Sequence, residues 1–358
     1  MGTESKGQKY PQRVRKVLIA LQLLLRYSGK TSDITIFELP YLKYFERVND
    51  YTTIYTELRR SPESKILVPA SGTFQRGASA AVAQSVPPAK RLFQTSPIIY
   101  LKAMKNDAEL SVAKTVDDTR ETQAGYIGNS MKTRVAFSTN GAEPEYRPTA
   151  VSNKRIFKNA TLVVHSGGQY AEGTTVVTRT VHFGIPTREE RRAYTTVLRS
   201  MAALAMLSMP AELAAAHADP VARAPIWNAK QDYVHPTGYG VGSALNRRED
   251  PVVIDYRYDT NLHTFSAGYF VTAGWYDVNK FGVRLGNILE VEAKPNGYLG
   301  FTVTTLLPYE PKLIERSLLT EYEINWLNSY NARIRKIVGP ELKAQGLTDV
   351  LYWMMNKT

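Results

Sequence analysis

The sequence predicts an α/β protein, and three observations carry that expectation. Residues 161–184 read as two strands, Thr161–Val164 and Thr174–Phe183, built from alternating or continuous apolar residues and joined through a Gly-containing connection. Thr187, with Glu190 three residues on, forms a capping box for a helix running to about Met209, where Pro210 closes it. Further strands read over Leu262–Val271 and Phe281–Glu292, and a second capping box, Thr320 with Glu323, opens a helix whose buried stripe is Ile324, Leu327, Ile334 and Val338. A short closing helix then ends the chain.

Upstream, residues 1–10 are polar and read as a tail. Residues 11–27 carry Val14, Val17, Leu18, Leu21, Leu24 and Leu25 at helical spacing, with Pro11 placed to start the helix. Packing of that helix on the domain is preferred over a basic targeting segment. A short strand at Ile34–Phe37, a helix over roughly Tyr41–Arg59, a strand at Lys65–Val68 and a Gly/Ser/Ala/Pro-rich loop at Ser71–Pro88 follow. A helix over about Pro220–Trp227 lies between the two capped ones.

Composition narrows the classes. A chain of 358 residues, 43% hydrophobic, has room for two domains with sizeable cores. With no cysteine there is no disulfide, thiolate nucleophile or Cys-based zinc site. No apolar run approaches the roughly 20 residues of a bilayer span. The net charge of +12 favours anionic partners such as RNA. Its clusters (Arg13-Val14-Arg15-Lys16, Lys90-Arg91, Lys154-Arg155 with Lys158, Arg188 with Arg191-Arg192, Arg333-Ile334-Arg335-Lys336) are scattered over several surfaces.

Several runs carry a family likeness. Ser166-Gly167-Gly168-Gln169-Tyr170 and Gly173-Thr174-Thr175-Val176-Val177-Thr178-Arg179-Thr180 form the first. Ser96-Pro97-Ile98 leading to Leu101–Leu110 is another, as are His235-Pro236-Thr237-Gly238-Tyr239-Gly240-Val241-Gly242-Ser243 and Phe281-Gly282-Val283-Arg284-Leu285-Gly286-Asn287. Near the end stand Leu307-Pro308-Tyr309, Ser317–Thr320, Trp326-Leu327-Asn328 and Val338–Leu342. Together they resemble the Xaa-Pro aminopeptidases (aminopeptidase P), whose catalytic domain has the pita-bread metallopeptidase fold. The resemblance implies a reduced α/β domain over 1–100, a degenerate pita-bread domain over 101–311, and a C-terminal helical tail over 312–358 that supports homodimers in relatives. It also implies that the family's whole first domain and much of its second are missing.

The resemblance implies a site as well. The family binds two metal ions through two Asp, one His and two Glu, and those positions hold His165, Val176, Tyr239, Thr272 and Gly286 here. Glu145 and Arg248 stand where two further family histidines would be, and His235 retains the first His of its motif. With no carboxylate in the set, two dications would be uncompensated, so no cofactor, metal or peptidase chemistry is expected. His165, Tyr239, Glu145, Arg248 and His235 as a new acid–base site is the alternative, weighed against a filled, abandoned cleft. No Gly-x-Ser-x-Gly elbow is present, and Ser166-Gly167-Gly168 opens no helix to cradle phosphate. His217 and His263 read as surface or core residues.

From these readings the sequence leads to a pseudoenzyme serving as a structural subunit of a large RNA-containing assembly, a mitochondrial ribosome first, with a cytoplasmic location as the alternative. Its partners are then protein subunits and ribosomal RNA. The alternatives are a non-cleaving peptide-binding groove and a repurposed metal-independent hydrolase.

Overall fold

A computed structural model describes residues 107–123, 125–170, 173–242, 248–258, 263–265 and 268–358. The tail, helices, strands and loop expected over residues 1–106, and with them the 1–100 domain, lie outside the described residues.

Helix α1 (Glu109–Glu121) opens the described chain, followed by strands β1 (Tyr126–Asn129) and β2 (Arg134–Phe137). The motif at 161–184 folds into four short strands rather than two: β3 (Thr161–Ser166), β4 (Gly168–Tyr170), β5 (Gly173–Thr174) and β6 (Val177–His182). Strands β3 and β6 pair antiparallel from Thr161↔His182 to Ser166↔Val177, while β4 and β5 turn aside to pair with β1 in a small second sheet. Gly167 makes the branch possible. A Cβ there would lie 2.2 Å from the Thr175 carbonyl and 2.4 Å from Ser130 Oγ, so only glycine lets the two segments approach.

Helix α2 (Arg188–Ala205) starts at the expected capping box, with Glu190 N donating to Thr187 Oγ1 and Thr187 N donating to the Glu190 carboxylate. Strand β7 (Met209–Pro210), helix α3 (Asp219–Asn228), β8 (Gly238–Val241) and β9 (Glu249–Ile254) follow. A long hairpin, β10 (Gly268–Asp277) and β11 (Phe281–Ala293), is the centre of the molecule, and β12 (Tyr298–Val303) flanks it. The described part of the strand expected over Leu262–Val271 thus begins at Gly268 and runs six residues further. The turn sets this register: Lys280 N donates to Asp277 O at 2.9 Å, and Asn279 takes φ +65°. Among the described residues nine strands form one curved sheet in the order β2-β3-β6-β11-β10-β8-β9, with β12 and β7 continuing from β11.

Period-2 alternation gives this sheet two different faces. Tyr269, Val271, Ala273, Val283, Leu285 and Leu289 point to the helical side, where Tyr194, Val197, Leu198, Met201 and Leu204 of α2 complete the main core. The alternate residues, including Phe270, Thr272, Gly286 and Ile288, face the concave side.

The C-terminal helices α4 (Glu321–Ala344) and α5 (Thr348–Lys357) pack on this core, and α4 begins at the second expected capping box. Ile334 and Val338 are buried as expected, whereas Ile324 and Leu327 are half-buried and Tyr330 takes the inner position instead. Arg179 explains the choice. Its buried guanidinium donates to the carbonyls of Thr178, Gly286, Leu307 and Pro308, to Asn287 Oδ1 and to Tyr330 OH, and lies over the Tyr309 ring at 4.6 Å. One side chain from the central motif therefore ties the sheet to the tail. The architecture is the pita-bread α/β fold with C-terminal helices.

Candidate functional site

Cross-strand pairing brings the predicted positions together on the concave face. Arg134 pairs with His165, His165 with Thr178, Thr178 with Gly286 and Gly286 with Thr272, one row across β2, β3, β6, β11 and β10. Tyr239 on β8 and Ile288 on β11 both pair with Phe270, one step along the same face. Val176 sits at the break before β6.

What fills this face is apolar. Met131, Val176, Tyr239, Val241, Phe270 and Ile288 form a separate buried cluster, with Phe270 and Val176 at 0% exposure. The Phe270 ring stacks against His165 with centroids 5.6 Å apart and an interplanar angle of 16°, and leans on Tyr239 at 5.5 Å. Gly286 leaves the room for it. A Cβ at 286 would lie 2.5 Å from Phe270 Cζ and 2.9 Å from Cε2, so the ring and the missing side chain define each other.

Guanidinium groups flank the cluster. Arg284 Nε donates to Thr272 Oγ1 at 3.1 Å, and its Nη1 donates to the Pro144 carbonyl at 3.1 Å. Arg134 Nη1 reaches the same carbonyl at 3.2 Å, and its Nη2 pairs with Glu145 at 2.6 Å. Behind the face, fully buried Arg120 donates to Ser166 Oγ at 3.0 Å and Thr175 Oγ1 at 3.3 Å, the neighbours of His165 and Val176. Arg248, exposed, lies over the Tyr239 ring at 5.1 Å.

A polar end adjoins this. His235 Nδ1 donates to the Pro236 carbonyl at 2.9 Å, and since a carbonyl only accepts, Nε2 is the acceptor from Tyr276 OH, also 2.9 Å away. Burial, reinforced by the Arg284 charge, lowers the imidazole pKa well below its usual 6.5, so the ring is neutral at pH 7. Burial raises the Tyr276 phenol in the same way. Beneath His235, Arg223 and Asp219 form an ion pair at 2.8 Å with both side chains fully buried. Arg223 also donates to Asp232 and to the Tyr233 and His235 carbonyls. Asp219 also accepts from Thr237 Oγ1 and Tyr256 N.

The structure thus gathers His165, Val176, Tyr239, Thr272 and Gly286 in one place. Glu145 and Arg248 stand at its rim, and His235 lies at the polar end. His217 and His263 are exposed and away from it. Sequence reasoning missed Phe270, Arg134, Arg120 and Tyr276 as parts of the site. It also missed Arg284, although that residue lies inside the quoted Phe281–Asn287 motif.

Comparison with known proteins fits this geometry. Residues 88–293 match the model of metallopeptidase family M24, and residues 297–358 match the C-terminal region of peptidase M24. The chain is 37% identical over 256 residues to Xaa-Pro aminopeptidase 1 of Dictyostelium discoideum, covering 70% of this chain and 41% of that protein. Against Xaa-Pro aminopeptidase 2 of Sus scrofa it is 38% identical over 256 residues, covering 70% and 37%. Among solved structures, the X-prolyl aminopeptidase of Caenorhabditis elegans, described as a cytosolic enzyme with a di-nuclear active site, superposes with a TM-score of 0.74. That superposition has 29% identity and covers 79% of this chain and 49% of that one.

The fold is that of the pita-bread metallopeptidases. The chain belongs to metallopeptidase family M24 and resembles its Xaa-Pro aminopeptidases. It spans about two fifths of the length of these curated relatives.

These findings correct the functional expectation drawn from the sequence. A non-enzymatic pseudoenzyme, an RNA-binding ribosomal scaffold, a non-cleaving groove and a metal-independent hydrolase are not what the comparisons favour: the relatives at 37–38% identity are named Xaa-Pro aminopeptidases. The physical reason is that net charge alone selects no partner. Several of the basic residues that suggested RNA are engaged within the chain: Arg191 with Glu315 at 3.4 Å, Arg333 with the Val303 carbonyl at 2.6 Å, and Arg335 with the Thr358 carbonyl at 2.5 Å.

The dinuclear group named for the solved relative can be tested against the side chains present. Two divalent ions about 3.5–4 Å apart need several carboxylates, some bridging. On the concave row His165 is the ordinary ligand type, and Val176, Thr272 and Gly286 bring no carboxylate or imidazole. Among the described residues no three His, Cys, Asp or Glu side chains cluster to hold a metal. Phe270 fills the centre, and the Arg284 and Arg134 guanidiniums flank it. The residues do not fit the group, and no chemical step is routed through it.

Proposed function

We propose that this chain acts on peptides with proline in the second position, the Xaa-Pro class for which its relatives are named, at the concave face of the β10–β11 hairpin. The observation that carries this reading is the 37% identity over 256 residues to an Xaa-Pro aminopeptidase, over a fold that superposes on a solved X-prolyl aminopeptidase. The polar end supports it. Neutral His235 and Tyr276 hold one another in a fixed orientation, and Arg284 and Arg134 fix the Pro144 carbonyl at the edge of the face. Glu145, ion-paired with Arg134 at 2.6 Å and with its side chain 64% exposed, sets a carboxylate at the rim.

The test is a matched peptide pair, one Xaa-Pro and one Xaa-Ala, incubated with pure full-length protein and followed by mass spectrometry for loss of the first residue. Proline-dependent release is expected. Equal inertness toward both peptides, with no saturable binding of either, would overturn the reading.

A further inference from the structure

We infer that the centre of the concave face is a packed aromatic plug flanked by fixed guanidinium charge, and that this chain does not hold the two divalent ions its family's fold implies there. Three independent features meet at that point. The donor set is wrong: across the row of paired residues, Thr272 already donates its hydroxyl to the Leu285 carbonyl at 2.8 Å and accepts from Arg284, and Gly286 has no side chain. The space is taken, since Phe270 at 0% exposure lies between His165 and Tyr239 and would have to leave before any side chain at 286 could reach inward. The local charge has the wrong sign for dications. Arg284 is hydrogen-bonded to one of the family ligand positions, and Arg120 to the residues beside two others.

Each feature alone could be accommodated by a family enzyme, but together they describe a different way of closing the same cleft. A dinuclear cleft is lined by carboxylates that offset its two cations. Here dispersion contacts close it, and nearby arginines carry positive charge that is covalently part of the chain. Ions entering would have to displace a buried ring, give up hydration, and sit among like charges with no carboxylate to repay that loss.

The inference stands on side chains and does not depend on the peptide reading. Its test is equilibrium dialysis of the full-length protein, as purified, against Mn2+, Co2+ or Zn2+, with bound metal measured by elemental analysis. The C. elegans dinuclear relative serves as the positive control. Fewer than about 0.2 equivalents are expected for this chain. Two equivalents would overturn the inference, as would a single equivalent abolished by His165→Ala. A second readout avoids dependence on variants that fail to fold: chelator and excess Mn2+ leave the thermal midpoint of the wild-type chain unchanged, whereas ligation to the folded state would raise it. A chain that binds no ion here upholds this inference whichever way the peptide assay falls. One that binds two ions refutes this inference whatever it does to peptides, and one that does neither refutes the peptide reading alone.

Discussion

Two neighbouring regions of the molecule are held by opposite physics. At the polar end, Arg223, Asp219, Thr237, Tyr233, His235 and Tyr276 form a buried network in which charge and hydrogen bonding are closely matched. At the centre, Phe270, Val176, Tyr239 and Ile288 fill the space by shape, and His165 joins them through its ring face. The difference shows that one sheet scaffold can hold a charge-matched network and an apolar, shape-filled cluster side by side, provided its strands stay in register. It also predicts that the two regions fail differently.

The largest effect belongs to the polar end. Asp219→Ala leaves the fully buried Arg223 guanidinium without its carboxylate, and breaking a buried pair from one side costs about 3–5 kcal/mol. A urea titration followed by circular dichroism should show that loss as a lowered midpoint. A fall of under about 1 kcal/mol would mean that water reaches Arg223 and the network is not closed.

Phe270→Ala comes next. If the ring is a packed plug, truncation removes its contacts with His165, Tyr239 and Ile288 and costs about 3–5 kcal/mol in the same titration. A ring that merely lined an open, hydrated ion site would lose far less.

The third prediction concerns pH. Because the folded pKa of His235 lies below the unfolded value of 6.5, the unfolded chain binds the extra proton between those two values. Its contribution to stability is therefore complete above about pH 6.5 and is lost as pH falls toward the folded pKa. The thermal midpoint should drop on the acid side, and His235→Gln should flatten part of that slope. An unaltered slope would mean that other groups carry the acid sensitivity.

The smallest effect lies outside both regions. Thr320→Ala removes the hydroxyl that accepts from Glu323 N at 3.3 Å at the start of α4, a loss of about 1 kcal/mol. It should leave the concave face untouched.

How far the sequence revealed these regions follows from the range of each interaction. Both capping boxes were legible because a cap is written within four residues, and the α2 and α4 starts lie where Thr187 and Thr320 place them. The core of the β3–β6 pair and the β11 span were legible from Val, Leu and Thr patterning. The extent of β10 was not, because its register is set by the turn at Asn279 and by pairing with β11, while the apolar run thins at Thr272, Ala273 and Gly274. The positions of His165, Thr272 and Gly286 were readable from motif resemblance. The plug was not. Phe270 reads as one more strand residue until pairing sets it beside Tyr239 and under the vacant Cβ of Gly286. Arg120 and Arg134 were hidden for the same reason, since they meet the site through contacts across 55 and 11 positions of chain.

The most direct measurement is anomalous diffraction from crystals soaked in a zinc or manganese salt. The account predicts no anomalous peak among residues 165, 239, 272 and 286, and density for the Phe270 ring stacked on His165. Two peaks about 3.5–4 Å apart at that point, with the ring swung out of the face, would contradict it.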